Sequence, residues 1–268
     1  MMTRIEKRFG ALKEKKQKGF IAYITAGDPS LGATEDFVLR LEDVGVDVVE
    51  LGIPFSDPLA DGRVNQESAA RALAAGTTPA GILEMVARIR ERSELPLMGY
   101  TYMNLVHARG TERFIRDAAS AGLDGLLLLD LPAEEAGPYA KSLIQHKLNY
   151  IALVTPTTPD ERIAMISKNA SGFVYCVSRE GVTGAQDKLS PAALKLVRRT
   201  QRRTQLPVAL GFGIGTPEHA RTAAEVADAV VVGSAIVRRH FESPHTPEGR
   251  QDAARWVSTL VKAVKGVS

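Results

Sequence analysis

A glutamate interrupts an otherwise apolar run of this sequence. The run spans residues 48–53 and reads Val-Val-Glu-Leu-Gly-Ile, with the acid at Glu50. A carboxylate buried in such a run is unfavourable unless it is ion-paired, protonated or used in chemistry. Burial also raises its pKa toward the range in which a side chain works as a general acid and base. A buried structural ion pair is the alternative, and the residues that follow favour the catalytic interpretation.

A loop with two prolines and two aspartates comes directly after this run. Residues 54–62 read Pro-Phe-Ser-Asp-Pro-Leu-Ala-Asp-Gly. Asp57 precedes a proline, as is typical of a turn or a helix cap. Asp61 lies eleven residues after Glu50, on a loop that can fold back over the end of a strand. Two carboxylates at one pocket can divide the roles of acid and base when their environments separate their pKa values.

Three glycine-rich segments lie late in the chain. They are residues 181–184 (Gly-Val-Thr-Gly), residues 211–215 (Gly-Phe-Gly-Ile-Gly) and the pair Gly233-Ser234. Glycines let backbone N–H groups approach a phosphate, and a helix N-terminus favours an anion. The first segment could cover such a site as a lid. Residues 211–215 do not fit a dinucleotide fingerprint, because the third glycine comes one residue early.

Eight short apolar runs alternate with amphipathic stretches, and they predict the elements that position these groups. The runs are residues 20–25, 47–53, 95–102, 125–131, 150–154, 172–177, 206–211 and 229–233. Such continuous runs are typical of parallel strands buried on both faces. Eight strand–helix units in 268 residues favour a closed barrel, with a doubly wound open sheet as the alternative.

We therefore predict an α/β fold, a single (β/α)₈ TIM barrel domain spanning 1–268. An extra amphipathic helix around Ile5, Phe9 and Leu12 should precede the first strand. Thr158-Pro159, Ser190-Pro191 and Thr216-Pro217 should start three of the helices, since each places a capping hydroxyl before a proline. In such a barrel the active site lies at the carboxyl ends of the strands.

Composition and charge argue against several other classes of function. The net charge of +3 suits a small anionic substrate, and the arginines at 198, 199, 202 and 203 are expected on a solvated helix face. Five dispersed histidines lack metal-ligand spacing, so no metal site is expected. The single cysteine, Cys176, cannot form an internal disulfide and should be a buried strand residue in a reducing compartment. We find no run of about 18 apolar residues and expect a cytoplasmic protein.

The motif around the two acids resembles the signature of the tryptophan synthase α subunit family. Its core is the fourteen-residue stretch 49–62, which includes both Glu50 and Asp61. Supporting matches lie at 25–29 (Thr-Ala-Gly-Asp-Pro), 102–104 (Tyr-Met-Asn), 178–184 (Ser-Arg-Glu-Gly-Val-Thr-Gly), 211–214 (Gly-Phe-Gly-Ile) and 233–235 (Gly-Ser-Ala). The resemblance covers essentially the whole chain.

The resemblance implies a retro-aldol cleavage of indole-3-glycerol phosphate to indole and glyceraldehyde 3-phosphate. Glu50 is then the acid–base residue, and Asp61 accepts a hydrogen bond from the indole N–H. The further substrate-binding residues that the resemblance implies are Tyr175 at the reacting region, Gly184, Gly213, Gly233 and Ser234 at the phosphate, Leu127 and Phe212 at the indole ring, and Tyr102 and Thr183.

The resemblance also implies a partner. The family forms an αββα heterotetramer with a β subunit, which carries pyridoxal phosphate, whereas the α subunit is expected to need no cofactor. The loops at 54–62 and 179–187 would face that subunit. One departure follows the motif, where residues 63–66 read Arg-Val-Asn-Gln and lack the proline usual in the family. Arg63 then either pairs with Asp61 or points to solvent, with solvent the favoured choice.

Three rival functions stay open at this stage. A phosphosugar isomerase or epimerase would share the phosphate loops but not the arrangement of Glu50 and Asp61. A stand-alone lyase would release free indole without any partner. A non-catalytic activating subunit would have no need of both acids.

Overall fold

The strands close into a barrel in the order in which they occur along the chain. The structure, a computed structural model, describes residues 2–177, 191–211 and 213–266. All eight strands are parallel to their neighbours, and β8 pairs with β1. The strands are β1 (Gly19–Thr25), β2 (Val48–Gly52), β3 (Leu97–Thr101), β4 (Gly125–Leu128), β5 (Asn149–Val154), β6 (Val174–Val177), β7 (Val208–Gly211) and β8 (Ala229–Val232). The predicted barrel is therefore confirmed over the open sheet, although most of the predicted runs extend past the strand ends.

Helices surround the barrel, and one precedes it as predicted. They are α1 (Arg4–Glu14), α2 (Leu31–Asp43), α3 (Arg63–Ala74), α4 (Pro79–Arg90), α5 (Met103–Arg109), α6 (Thr111–Ala121), α7 (Ala136–Gln145), α8 (Asp160–Asn169), α9 (Pro191–Gln201), α10 (Pro217–Val226), α11 (Ser234–Glu242) and α12 (Pro247–Lys265). Within the described ranges, no helix combines the length and the apolar character that crossing a membrane requires.

Three helix starts were predicted, and that at Thr216-Pro217 is correct in full. Helix α9 begins at Pro191 as predicted, although Ser190 lies outside the described residues. The Thr216 hydroxyl accepts a hydrogen bond of 3.2 Å from the backbone N–H of His219, and α10 begins at Pro217. The prediction for Thr158-Pro159 was wrong by one residue, because Pro159 itself is the N-cap and α8 begins at Asp160. The Thr158 hydroxyl instead accepts from the backbone N–H of Thr155 at 3.0 Å.

Side chains alternate between the inside of the barrel and the layer beneath the helices, as the pleat of a strand requires. The inner cluster contains Ile21, Tyr23, Val48, Met98, Tyr100, Leu127, Ile151, Phe173, Tyr175, Ala209, Ala229 and Val231. The outer cluster joins the other face of each strand to the helices. Both faces of the sheet are therefore buried, which explains why the strands read as continuous apolar runs.

Helix α1 closes the amino-terminal end of the barrel. Its buried residues Ile5, Phe9 and Leu12 belong to the inner cluster. The ring of Phe9 lies 5.5 Å from that of Phe173, the residue just before β6. An ion pair of 3.2 Å between Arg4 and Asp124 adds a polar contact at this end. The helix thus keeps solvent out of the barrel on the side opposite to the expected active site.

A polar side chain just before each even-numbered strand forms a hydrogen bond with the beginning of the neighbouring odd-numbered strand. In each case a polar side chain accepts a hydrogen bond from the first or second backbone N–H of the preceding strand. The four pairs are Asp47 with Phe20 (2.8 Å), Asp124 with Leu97 (2.9 Å), Ser171 with Tyr150 (2.9 Å) and Asp228 with Val208 (2.9 Å). Buried backbone donors need such partners, so these contacts help to fix where the strands begin.

The closure by α1 can be tested with Phe9→Ala. We expect the free energy of unfolding to fall by about 3–5 kcal/mol, because a buried aromatic ring is lost and a cavity is left behind. Urea denaturation measures the change, and Ile144→Ala at an exposed site serves as the control, with an expected change within about 0.5 kcal/mol. A loss below about 1 kcal/mol for Phe9→Ala would contradict a packing role for α1.

Candidate active site

Glu50 lies inside the barrel, in the middle of β2. Its backbone pairs with that of Tyr23 on β1 and that of Met98 on β3. The residue is 1% exposed. No described residue forms a hydrogen bond with its Oε1 atom, although that oxygen is fully buried. The alternative interpretation of Glu50 as half of a structural ion pair thus finds no partner in the described part of the chain, and the oxygen is available to a ligand.

The surroundings of Glu50 favour the protonated carboxyl group. Desolvation by burial, together with the nearby negative charge of Asp61, raises the pKa of Glu50 to about 8. Burial is the larger cause, since a charge in an apolar interior loses its hydration. At neutral pH Glu50 therefore carries a proton that it can donate.

Asp61 is also buried, but hydrogen-bond donors surround its carboxylate. The Tyr100 hydroxyl donates to Oδ1 at 2.8 Å, and the Tyr102 hydroxyl donates to Oδ2 at 2.7 Å. Burial raises the pKa of Asp61, while hydrogen bonds from Tyr102, Tyr100 and Asn65 oppose that rise. Such bonds stabilise the ionised form, so the two acids stand in different environments.

The loop that carries Asp61 is held from several sides. The backbone N–H of Asp61 donates to the Pro58 carbonyl at 3.0 Å, and the Gln66 side chain donates to the Asp61 carbonyl at 2.9 Å. The Ala60 N–H donates to the Tyr102 hydroxyl at 3.0 Å. These contacts place Asp61 just before the N-terminus of α3, where the helix dipole favours a negative charge.

Arg63 points away from the site. Its side chain is 90% exposed and pairs with Glu67 one turn later at 2.7 Å. The favoured prediction for this residue, orientation toward solvent, is therefore confirmed, and Arg63 does not neutralise Asp61.

A buried polar contact anchors α3 to the loop after β1. Asp28 accepts hydrogen bonds from the Ser68 hydroxyl at 2.5 Å and from the Arg71 guanidinium at 2.6 Å. Ser68 is fully buried and Asp28 is nearly so. Because Asp61 immediately precedes this helix, the anchor also restrains the position of its carboxylate.

Two more tyrosines crowd the same end of the barrel, and glycines make room for them. A Cβ atom at Gly52 would stand 2.3 Å from the Tyr23 hydroxyl, and one at Gly211 would stand 2.4 Å from the Tyr175 hydroxyl. The pKa values of Tyr23 and Tyr175 are raised well above the usual value by burial and by the negative charges nearby. Both tyrosines are thus neutral and can act as hydrogen-bond donors.

Sequence reasoning missed Tyr23 and Tyr100. The Tyr23 and Tyr100 rings pack edge-on with centroids 5.0 Å apart, and both belong to the inner cluster. The sequence did contain a signal for Tyr100. Tyr100 and Tyr102 are at positions i and i+2, and this spacing places two side chains on the same face of a strand.

The predicted apolar residue Leu127 also lies inside the barrel. It is fully buried on β4, and its backbone pairs with those of Tyr100 and Ile151. Tyr175 is 5% exposed on β6, within the same cluster. The structure therefore brings Leu127, Tyr175, Tyr102 and the two acids to one region.

The predicted phosphate residues lie after β7 and β8. Gly213 has a φ of 76°, a left-handed conformation that favours glycine. Gly233 precedes α11, whose first residue is the exposed Ser234. A Cβ atom at Gly215 would lie 3.5 Å from that of Ala235, so the two loops adjoin. Thr183, Gly184 and Phe212, and with them the loop at 179–187, lie outside the described residues.

Other conspicuous side chains have structural surroundings. Burial raises the pKa of Cys176 to about 12, which makes its thiol a poor nucleophile. His240 stacks on Phe37 at 4.4 Å. The predicted basic helix face is wrong in part, because α9 ends at Gln201, before Arg202 and Arg203, and Arg199 donates to Asp160 at 2.7 Å. Across the described ranges, no cluster of three or more His, Cys, Asp or Glu side chains could hold a metal ion.

Comparison with known proteins agrees with this geometry. The family model described as tryptophan synthase alpha chain matches residues 9–265. The chain belongs to the tryptophan synthase alpha chain family. It is 46% identical to the tryptophan synthase alpha chain of Geobacter sp. (strain M21) over 263 residues, which is 98% of each sequence. It is 47% identical to that of Opitutus terrae over 247 residues, 92% of this chain and 93% of the relative.

Solved structures extend the similarity to the fold. The tryptophan synthase subunit alpha of Legionella pneumophila str. Paris superposes with a TM-score of 0.91 at 35% identity, over the whole of both chains. A chain of Mycobacterium tuberculosis tryptophan synthase superposes with a TM-score of 0.89 at 31% identity, over 99% of each chain. The family resemblance and the predicted TIM barrel are thus confirmed.

The burial of Glu50 predicts how stability depends on pH. Its pKa in the folded state, about 8, exceeds the usual value of 4.5, so the folded protein holds a proton that the unfolded chain releases between these values. Relative to Glu50→Gln, the wild type should be most stable below pH about 4.5 and lose roughly 3–5 kcal/mol as the pH rises through 8.

Urea denaturation of both proteins from pH 5 to pH 9 measures this difference. Glu84→Gln, at an exposed position, is the matched control and should follow the wild type at every pH. If the difference in free energy of unfolding between wild type and Glu50→Gln stays constant across this pH range, Glu50 has the same pKa in the folded and the unfolded protein, which would contradict the prediction.

Proposed function

We propose that this chain cleaves indole-3-glycerol phosphate into indole and glyceraldehyde 3-phosphate, with Glu50 as the proton-transfer residue and Asp61 as the partner of the ring nitrogen. The observation that carries this assignment is a buried, protonated Glu50 with a free oxygen, beside an Asp61 carboxylate held by two tyrosines. Membership of the tryptophan synthase alpha chain family supports the same reaction and makes the chain a carbon–carbon lyase of tryptophan biosynthesis.

The reaction needs one proton to be given and one to be taken. Glu50 donates its proton to C3 of the indole ring, and the ring nitrogen takes up the positive charge of an indolenine. Asp61 accepts the N–H hydrogen bond and stabilises that charge. The Glu50 carboxylate then removes the proton of the glycerol hydroxyl next to the ring. The carbon–carbon bond breaks, its electron pair restores the aromatic ring, the hydroxyl carbon becomes the aldehyde, and Glu50 ends protonated.

The remaining predicted residues would bind the substrate around these two acids. Gly233 and Ser234 would offer backbone N–H groups at the start of α11, where the helix dipole favours a phosphate, and Gly213 would contribute from the loop after β7. Gly184 and Thr183 would contribute from the preceding loop. Leu127 and Phe212 would contact the indole ring, and Tyr175 would contact the reacting carbon.

We further propose that the chain works with a tryptophan synthase β subunit in an αββα complex. Membership of the tryptophan synthase alpha chain family supports this proposal, and Leu59, in the loop that carries Asp61, is 81% exposed and accessible to a partner. This loop and residues 179–187 would face the partner, which would hold pyridoxal phosphate, and we expect no cofactor in this chain. We also infer a cytoplasmic location and one domain spanning 1–268.

Release of indole from indole-3-glycerol phosphate tests the assignment. Wild type, Glu50→Gln and Glu84→Gln are compared with and without a β subunit. We expect slow turnover that the partner raises strongly, and a loss of about 10²–10⁴-fold in Glu50→Gln, the usual contribution of general acid–base catalysis. Glu84→Gln should match the wild type.

The rival functions give different results. Fast release of indole that no partner alters would indicate a stand-alone lyase. An absence of turnover under every condition, with phosphosugar isomerisation in its place, would overturn the proposed reaction. Stimulation of the β subunit by Glu50→Gln without any cleavage by the wild type would indicate a non-catalytic subunit.

A further inference from the structure

The two tyrosines that bind Asp61 come from one strand and its extension. Tyr100 lies within β3, and Tyr102 lies just past its end, so both side chains project to the same side. Each hydroxyl donates to a different oxygen of Asp61, at 2.8 Å from Tyr100 and 2.7 Å from Tyr102. Both distances are ordinary for O–H···O hydrogen bonds, and each oxygen of the carboxylate has its own donor.

The two tyrosines nevertheless differ in what else they hold. The Tyr102 hydroxyl also accepts the N–H of Ala60, and its ring packs on Phe55 at 5.2 Å, so it secures the loop. Tyr100 is buried with its ring against Tyr23, and among the described residues its hydroxyl bonds to Asp61 alone. Removal of the Tyr100 hydroxyl therefore affects the carboxylate without releasing the loop.

We propose that Tyr100 is a positioning residue for the cleavage reaction, whose hydroxyl keeps the Asp61 carboxylate ionised and oriented while Glu50 keeps its own proton. This inference rests on the proposed function and adds a residue to it. Tyr100 acts through Asp61, by fixing the carboxylate that meets the ring nitrogen.

The lack of a cationic partner for Asp61 explains why a neutral hydrogen-bond donor such as the Tyr100 hydroxyl matters. No lysine or arginine in the described part of the chain forms an ion pair with Asp61, since Arg63 pairs with Glu67 in solvent. The other groups that face the pair are Tyr23 on β1, Tyr175 on β6 and Asn65 on α3. Hydrogen bonds are thus the main compensation for burying the negative charge.

The number of donors decides which acid is charged. Asp61 receives hydrogen bonds from the hydroxyls of Tyr100 and Tyr102, whereas Oε1 of Glu50 receives none among the described residues. Two neighbouring carboxyls cannot both ionise cheaply, so the better-solvated one takes the charge and the other keeps its proton. Loss of one donor weakens this asymmetry.

The dependence of kcat/KM on pH in Tyr100→Phe tests the proposal. Activity requires ionised Asp61 and protonated Glu50, so the wild-type profile should rise as Asp61 ionises and fall with an apparent pKa near 8. In Tyr100→Phe the rising limb should move to higher pH by about one unit, because a hydrogen bond to a charged group is lost. Replacement of Tyr100 by 3-fluorotyrosine, a stronger donor, should move the limb the other way.

Tyr150→Phe is the matched control. Tyr150 is also a buried strand tyrosine, but it belongs to the outer cluster and should leave the profile unchanged. If kcat/KM in Tyr100→Phe falls by the same factor at every pH and the rising limb of the profile does not shift, Tyr100 has only a packing role and the proposal is overturned. If the wild type does not cleave the substrate, the proposed function is wrong, but the inference about Tyr100 can still be tested separately. Titration of ¹³C-labelled aspartate in wild type and Tyr100→Phe measures the pKa of Asp61, and an unchanged pKa would contradict the inference.

Discussion

Two carboxyl groups enclosed at one end of an apolar barrel cannot both carry a charge at low cost, and the rest of the site is arranged around that constraint. Burial and the charge of Asp61 leave the proton on Glu50, whose pKa rises to about 8. Tyrosine hydroxyls and the side chain of Asn65 stabilise the charge on Asp61. A proton donor and an anion are thereby present side by side at neutral pH, the pair that cleavage of a carbon–carbon bond at an indole ring requires.

The fold maintains the dry surroundings on which this asymmetry depends. Helix α1 packs Phe9 against Phe173 and so closes the end of the barrel opposite to the acids. Gly52 and Gly211 lack the Cβ atoms that would collide with the hydroxyls of Tyr23 and Tyr175, and they let these rings pack tightly beside Glu50. The site is thus a consequence of packing: the same close approach that excludes water raises the pKa of Glu50.

Much of this arrangement could be predicted from the sequence, and the failures have physical causes. Continuous apolar runs predicted all eight strands, but several ran long, because a residue such as Ile53 stays buried after its strand ends. Glu50 was conspicuous because a charge in an apolar run needs a reason. Tyr23 and Tyr100 were not, since a tyrosine in a strand usually serves packing, and only the position of the Tyr100 hydroxyl reveals that this residue binds Asp61.

The protonation state of Glu50 in the ligand-free protein is the most direct test of this account. Isotope-edited infrared spectroscopy with ¹³C-labelled glutamate, as the difference between wild type and Glu50→Gln, isolates its carboxyl band. We predict the band of a protonated carboxylic acid at pH 7, which disappears with a pKa of about 8. A carboxylate band for Glu50 that persists from pH 8 down to pH 5 would contradict the division of charge between the two acids.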